Sequence, residues 1–148
     1  MIDTLPGGAV RTMSPAATSW EGTEGWQVEL AQEITGTEGT PSELLDPQGL
    51  AVDDWGRIFV VDDKPRVIKV YGSDGEFVRT IGREGAGPGE FRQAFLALYQ
   101  GFLVVHDPQV ARTSVFDTAG TFLRSWPSAC CFWSDIQVDQ SGRIHVPT

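Results

Sequence analysis

Short runs of apolar residues alternate with turn-forming residues along most of the chain, and the clearest stretch lies between residues 49 and 81. Four strands are predicted there, at Gly49–Asp53, Arg57–Asp62, Val67–Tyr71 and Phe77–Ile81. The segments between them are rich in Gly, Asp and Pro, which supply the backbone angles that hairpin turns require. No helical period runs through the pattern, so the chain is predicted to be all-β.

The four-strand pattern recurs along the chain. Three pairs of segments match one another: 51–60 with 137–146, 58–63 with 102–107, and 70–79 with 115–124. A weaker echo relates Ile34–Leu44 to Ile81–Phe91. On this alignment Asp63 is equivalent to Asp107, His106 takes the place of Asp62, and one-residue insertions and deletions fall in the turns. Four strands in a unit of about 45 residues are typical of a β-propeller blade.

The best copy also resembles a known family. The segment Leu50–Asp63, continued by Val67–Gly82, resembles an NHL repeat, and Gly82–Phe91 resembles the linker that joins consecutive NHL blades. Together with the acidic leading segment, the chain looks most like bacterial six-bladed propeller proteins, which are often secreted and mostly without known activity. The resemblance implies a bacterial, extracytoplasmic protein, although no signal peptide is visible after Met1.

The predicted organisation is a partial propeller of NHL type in one domain. A leading segment spans residues 1–44, two blades span 45–91 and 92–131, and an incomplete blade spans 132–148. Trp26, Val28 and Leu30 alternate with polar residues, which predicts a strand ahead of the first blade.

A six-bladed ring needs about 260 residues at this repeat length. We therefore interpret the 148-residue chain as the N-terminal portion of a longer propeller. The alternative is that the chain is complete and that two copies form one ring. In either case unpaired blade edges favour self-association.

The charge of the chain narrows the classes of partner. Acidic residues outnumber basic ones by 20 to 11, and the whole net charge of −9 lies within residues 1–56. Such a distribution is opposite to the one that binds phosphate backbones or acidic membrane surfaces. The longest apolar stretches, at residues 94–99 and 102–105, are too short to span a bilayer. The predicted partner is therefore a protein or a small ligand, with no nucleic acid and no membrane span.

Aspartates and histidines are the candidates for metal binding. Carboxylate oxygens suit Ca²⁺, and imidazoles suit Zn²⁺. The aspartates recur at turn positions, where a structural role is expected because a carboxylate accepts turn N–H groups. The two histidines occupy non-equivalent positions of the repeat, which is weak support for a zinc site. The residues in question are Asp53, Asp54, Asp62, Asp63, Asp74, Asp107, Asp117 and Asp139, with His106 and His145.

Three other features have structural interpretations. The glycine-rich loop Gly82–Gly89 lacks the Lys and the spacing of phosphate-binding motifs. The adjacent Cys130 and Cys131 are interpreted as free, unreactive thiols, because a bridge between neighbours is strained. Repeat-equivalent arginines are expected to pair with nearby acids, and they are Arg57 with Arg143 and Arg79 with Arg124.

No catalytic, cofactor-binding or metal-binding residue is therefore predicted, and no cofactor. The leading hypothesis is a non-enzymatic propeller scaffold that binds a protein or a small ligand. The alternative is a metal-dependent propeller hydrolase or lyase, of lactonase or lyase type, whose metal ligands lie in blades outside this chain.

Overall fold

A computed structural model describes residues 2–4, 10–12, 30, 32–34, 36–128 and 135–145. These residues contain β-strands and turns, and no helix among them could cross a membrane. The chain divides into two compact units, residues 1–31 and 32–148. The strands are β1 (Ile2–Thr4), β2 (Val10–Thr12), β3 (Pro47–Val52), β4 (Ile58–Asp62), β5 (Val67–Tyr71), β6 (Phe77–Ile81), β7 (Phe95–Tyr99), β8 (Phe102–Asp107), β9 (Arg112–Asp117), β10 (Phe122–Pro127), β11 (Gln137–Val138) and β12 (Ile144–His145).

In the first unit, β1 and β2 form an antiparallel hairpin. In the second unit, β3–β6 form a four-stranded antiparallel meander, blade 1, and β7–β10 form a second, blade 2. The pair β11–β12 corresponds to the first two strands of a further blade, blade 3. The all-β prediction with repeated four-stranded units is confirmed. The predicted strand at Trp26–Leu30 lies mostly outside the described residues, as do Cys130, Cys131 and Val146–Thr148.

The main core lies between blades 1 and 2. Strand β7 lies beside both β3 and β11, so the first strands of successive blades are neighbours. Phe59 and Val61 of blade 1 pack against Leu103, Val105 and Phe116 of blade 2. Strands β4 and β5 are buried on both faces, which explains why they read as continuous apolar runs rather than as alternating ones.

The strand register corrects the alignment of the repeats. Phe59 lies opposite Val70 in blade 1, and Val104 lies opposite Val115 in blade 2, so β4 and β8 are related by an offset of 45 residues. The sequence comparison gave 44 because the two apolar runs match almost equally well in either register. Strands β3 and β7 are related by an offset of 46 residues, so the turn that follows them differs by the one residue predicted. Because β7 and β8 pair further into the turn, only Gln100 and Gly101 lie between these two strands.

The correction changes which polar residues are equivalent. Asp62, not Asp63, corresponds to Asp107, and both of these buried carboxylates accept N–H groups from the segment that precedes their blade. His106 takes the place of Val61, on the face that blade 2 turns away from blade 1. The prediction that His106 replaces a turn-facing aspartate was therefore wrong, because it depended on the shifted register.

The segments that lead into the two blades share one turn. We call residues 36–46 linker 1 and residues 82–93 linker 2. The N–H of Glu43 donates to the Thr40 carbonyl, and that of Glu90 donates to the Gly87 carbonyl, at 3.1 Å in each case. Each glutamate side chain also accepts a linker N–H at 2.8 Å. The weak sequence echo between the linkers is therefore a true structural repeat.

Cations from the sheets hold both linkers in place. In blade 1, Lys69 Nζ lies 2.8 Å from Asp62 Oδ2 and also donates to the Glu43 carbonyl. In blade 2, the Arg112 guanidinium donates to three linker carbonyls at 2.7–2.8 Å, and the Glu90 carbonyl is one of them. The same linker carbonyl is thus capped in both blades, by side chains from different strand positions.

Candidate functional site

Five of the eight candidate aspartates accept hydrogen bonds within turns. Asp53 Oδ1 accepts the N–H groups of Trp55 and Arg57 at 3.0 and 2.8 Å, and its Oδ2 accepts Arg57 Nε at 2.7 Å. Asp139 repeats this pattern in blade 3. Side-chain oxygens of Asp74, Asp107 and Asp117 also accept turn N–H groups. Among the described residues, no three His, Cys, Asp or Glu side chains lie close enough together to hold a metal ion.

The two histidines are not brought together. His106 is fully buried, and its Nδ1 lies 3.3 Å from Thr113 Oγ1 and 3.1 Å from Ser128 Oγ. Burial lowers the pKa of His106, and the nearby charge of Asp107 opposes that effect only in part. His145 lies on β12 at the position that Phe59 occupies in blade 1, but it is exposed and 3.1 Å from Asp139 Oδ2, so the expectation that it packs like Phe59 was wrong.

The glycine-rich loop is the part of linker 2 that turns the chain between blades. Gly82 has a φ of +74°, and a β-carbon there would collide with the ring of Phe91. Phe91 is buried in the core between the two blades. The close approach of the Phe91 ring therefore explains the glycine at position 82, and a bound phosphate is not needed to explain it.

An apolar cavity of about 400 Å³ lies between blade 2 and the strands of blade 3. Val115 and Trp126 line it, and their equivalents in blade 1 are Val70 and Ile81, which are buried against blade 2. The cavity beside blade 2 therefore lies at the position that β9 and β10 of blade 2 fill beside blade 1. The repeat explains its apolar lining, and we do not assign a ligand to it.

A second cleft of about 390 Å³ opens where the linkers meet the first strands of the blades, and its polar lining includes Gln48, Asp63 and Gln93. Gln48 Nε2 already donates to Asp46 Oδ1 at 2.6 Å. The cleft contains no pair of a nucleophile and a base. It offers one carboxylate and two amides, and we assign no ligand to it.

The most distinctive surface feature is Trp55, in the turn between β3 and β4. Its side chain is 66% exposed, which is unusual for so large an apolar group. Arg57 Cζ lies 5.2 Å from the centroid of the indole ring, close enough for a cation–π interaction. Arg57 is itself held by Asp53 at 2.7 Å and by Thr118 of blade 2 at 3.0 Å. The indole is thus supported on one side by a guanidinium that bridges two blades.

The turn itself does not require this tryptophan. In blade 3 the equivalent turn has Ser141 in place of Trp55, yet Asp139 accepts the same two backbone N–H groups at 2.9 and 3.0 Å. Arg143 pairs with Asp139 at 3.0 Å, as Arg57 pairs with Asp53. The Ser141 hydroxyl donates to Asp139 Oδ1 at 2.6 Å and accepts Arg143 Nε at 3.0 Å, whereas Trp55 stacks with Arg57. The backbone of the turn therefore forms around either residue, and it does not require an indole.

A small cleft of about 110 Å³ lies beside Trp55, and we call it the turn-end cleft. It exists because the facing turn of blade 2, Gln100–Gly101, is a two-residue turn with positive φ at both positions. The residues that line it include Asp54 and Gln100. An indole, a carboxylate and an amide can together hold a ligand with one apolar face and several hydroxyl or N–H groups.

Sequence reasoning did not single out this site. The signal was present in the offset of 86 residues, which places Ser141 opposite Trp55. A one-residue difference in a turn carries no meaning until the structure shows that both turns have the same hydrogen bonds and that the indole is exposed.

Comparison with known proteins supports the architecture. A family model described as a 6-bladed beta-propeller matches residues 42–95. The chain has a β-propeller fold. Among solved structures, a Bacteroides fragilis protein named as exported matches with a TM-score of 0.53 and 18% identity, over 76% of this chain and 32% of that one. The chain thus spans about a third of that relative. None of the curated proteins matches.

Proposed function

We propose that the chain is part of an NHL-type propeller and that it acts as a non-enzymatic binding scaffold. The ligand site is the turn end of blade 1, around Trp55. The observation that carries this proposal is an indole that is 66% exposed, supported by Arg57, in a turn that forms without it in blade 3. Exposed, rigidly held aromatic side chains are typical anchors of binding surfaces.

The second candidate is a metal-dependent hydrolase or lyase with its metal ligands in other blades. The turn hydrogen bonds of Asp53, Asp107 and Asp139 favour the scaffold, because these carboxylates already have donors. Metal analysis of the purified protein after dialysis distinguishes the two. Stoichiometric Ca²⁺ or Zn²⁺ would support the enzyme and would count against the scaffold.

We also propose an extracytoplasmic location. The support is the resemblance to secreted bacterial propellers and the name of the Bacteroides fragilis relative as an exported protein. Fractionation of cells that express the gene from its natural start checks this proposal, which fails if the protein stays in the cytoplasm.

Binding at the turn end is tested with arrays of immobilised peptides, proteins and glycans. The wild type is compared with Trp55→Ser, which introduces the blade 3 residue, and with Leu50→Ser, which removes another exposed apolar side chain. We expect capture on at least one array by the wild type and by Leu50→Ser, and loss of capture by Trp55→Ser. Equal capture by all three folded proteins, or none by any of them, would contradict the proposed site.

A further inference from the structure

We propose that the turn-end cleft binds carbohydrate, with one sugar ring stacked on the open face of Trp55. This inference rests on the proposed function and names its ligand class. Arg57 occupies one side of the indole, and the side chain nevertheless stays 66% exposed. A flat apolar surface is therefore presented to solvent.

The indole ring of Trp55 is chemically suited to contact a pyranose ring. The face of an aromatic ring is the negative part of its quadrupole, so it attracts the weakly positive C–H groups that cover one face of many sugar rings. Indole is the largest such surface that a side chain offers. Its support by Arg57, which is tied to two different blades, means that little freedom is lost when a ligand stacks on it.

The groups beside Trp55 suit hydroxyls. Asp54 provides a carboxylate, and Gln100 provides an amide with both donors and acceptors. The Tyr99 phenol is directed towards blade 3 instead, where its Oη donates to the Gln140 carbonyl at 3.2 Å. Both oxygens of Asp53 are engaged by the turn, which leaves Asp54 as the carboxylate for a ligand.

Other ligand classes fit less well. The Arg57 guanidinium beside the indole would repel a cationic ligand. The carboxylate of Asp54 would repel a phosphate. A protein partner needs about 800 Å² on each side and a rim that keeps water from the anchor. Here Asp54 and Gln100 are hydrated polar groups directly beside Trp55. A neutral polyhydroxylated ligand carries none of these penalties.

The size of the cleft sets the strength of binding. Its volume of about 110 Å³ admits the edge of a single sugar residue, well below the several hundred cubic ångströms of a typical small-molecule pocket. We therefore expect dissociation constants on the order of 1 mM for one contacted residue. Longer glycans are expected to bind by the same contact.

The inference is tested by NMR titration of the full chain with cellohexaose, xylohexaose, chitohexaose and maltohexaose. The chain contains five tryptophans, and the indole N–H signal of Trp55 is identified with Trp55→Phe. We expect at least one of these probes to shift that signal. Trp55→Ser should weaken binding by about tenfold or more, and Trp55→Phe by less. Asp54→Asn should weaken it severalfold, and Leu50→Ser should leave it unchanged.

Three results would overturn the inference. The first is no shift of the Trp55 signal by any of the probes at about 10 mM. The second is binding that Trp55→Ser leaves intact. The third is Trp55-dependent capture of peptides or proteins on the arrays without glycan binding. In that third case the scaffold function stands and only the ligand class is wrong, so the two proposals fail separately.

Discussion

Replacing Lys69 by alanine tests whether a buried ion pair fastens linker 1 to blade 1. Lys69 Nζ lies 2.8 Å from Asp62 Oδ2, and the two side chains are only 5% and 0% exposed. Lys69 also donates to the Glu43 carbonyl of the linker. The substitution therefore removes a charge partner and a linker contact at once.

The expected cost follows from what remains around Asp62. Without Lys69, its carboxylate keeps two N–H donors, from Leu45 at 3.2 Å and from Asp46 at 2.7 Å, but has no counter-charge. Removal of one partner of a buried pair typically costs about 3–5 kcal/mol. That is a large share of a total stability of roughly 5–15 kcal/mol, so a clear drop in the unfolding midpoint is expected.

The matched control is Lys64→Ala. Lys64 Nζ lies 3.2 Å from Asp46 Oδ2, but the Lys64 side chain is 73% exposed. Exposed pairs of this kind contribute about 0–1 kcal/mol. Both variants lose the same side chain from the same blade, so the difference between them isolates the effect of burial. Urea unfolding at pH 7, followed by circular dichroism, measures both.

The pH dependence provides a second readout. Burial alone would raise the Asp62 pKa, but hydrogen bonds from Lys69, Asp46 and Leu45, with the Lys69 charge, lower it below 3.8. Because the folded protein then binds fewer protons than the unfolded chain, this stabilisation is complete above about pH 4 and is lost as the pH falls through the folded pKa. The gap between wild type and Lys69→Ala should therefore narrow in acid.

Two results would refute this reasoning. One is a loss for Lys69→Ala that matches Lys64→Ala within about 1 kcal/mol. The other is a gap between wild type and Lys69→Ala that stays constant down to pH 3, because protonation of Asp62 would then have no influence on it.

Three further predictions concern the rest of the fold. Below pH 6.5 the wild type should lose stability, because burial lowers the pKa of His106 and the unfolded chain therefore binds more protons than the folded one. In urea titrations, His106→Val should reduce this loss more than His145→Gln does. Arg112→Lys should cost about 2 kcal/mol in urea unfolding, because a single ammonium cannot reach three linker carbonyls. In light scattering, Leu50→Asp should suppress self-association while the similarly exposed Val78→Asp does not, and equal effects would exclude the β3 face as the contact.

The self-association prediction follows from the corrected repeat. Leu50 and Val52 are exposed on β3, and their equivalents Leu96 and Leu98 on β7 pack into the core between the blades. The open face of blade 1 therefore has the composition of a surface against which a blade packs. A second copy of the chain, or further blades of the same protein, would cover it in the same way.

The sequence predicted the elements whose causes are local. The bounds of β5 and β6 agree with prediction, because turn residues and apolar runs define them without reference to the rest of the chain. Strand β3 begins two residues earlier than predicted, at Pro47. At that end the strand is set by pairing with Asp62, which is a contact between strands rather than a local preference.

The errors in the prediction have a common origin in long-range geometry. A shift of one residue in an alignment exchanges the two faces of a strand. Buried strands such as Ile58–Asp62 and Phe102–Asp107 lack the alternation of polar and apolar residues that would reveal such a shift. The capping of a linker carbonyl by Lys69 in one blade and by Arg112 in the other was also invisible. Neither residue lies near its linker partner in the sequence.

Comparison of the equivalent turns in blades 1 and 3 shows which side chains the turn requires and which it does not. Asp53 and Asp139 each accept two backbone N–H groups of the turn and one arginine Nε, so each aspartate–arginine pair is explained by the turn it closes. Trp55 contributes a cation–π contact with Arg57, and Ser141 contributes hydrogen bonds to Asp139 and Arg143 at the same position. A small residue thus serves the turn with less exposed apolar area, whereas a large aromatic surface beside a polar cleft can contact a ligand. For this reason we place the function at Trp55 rather than at the more numerous aspartates.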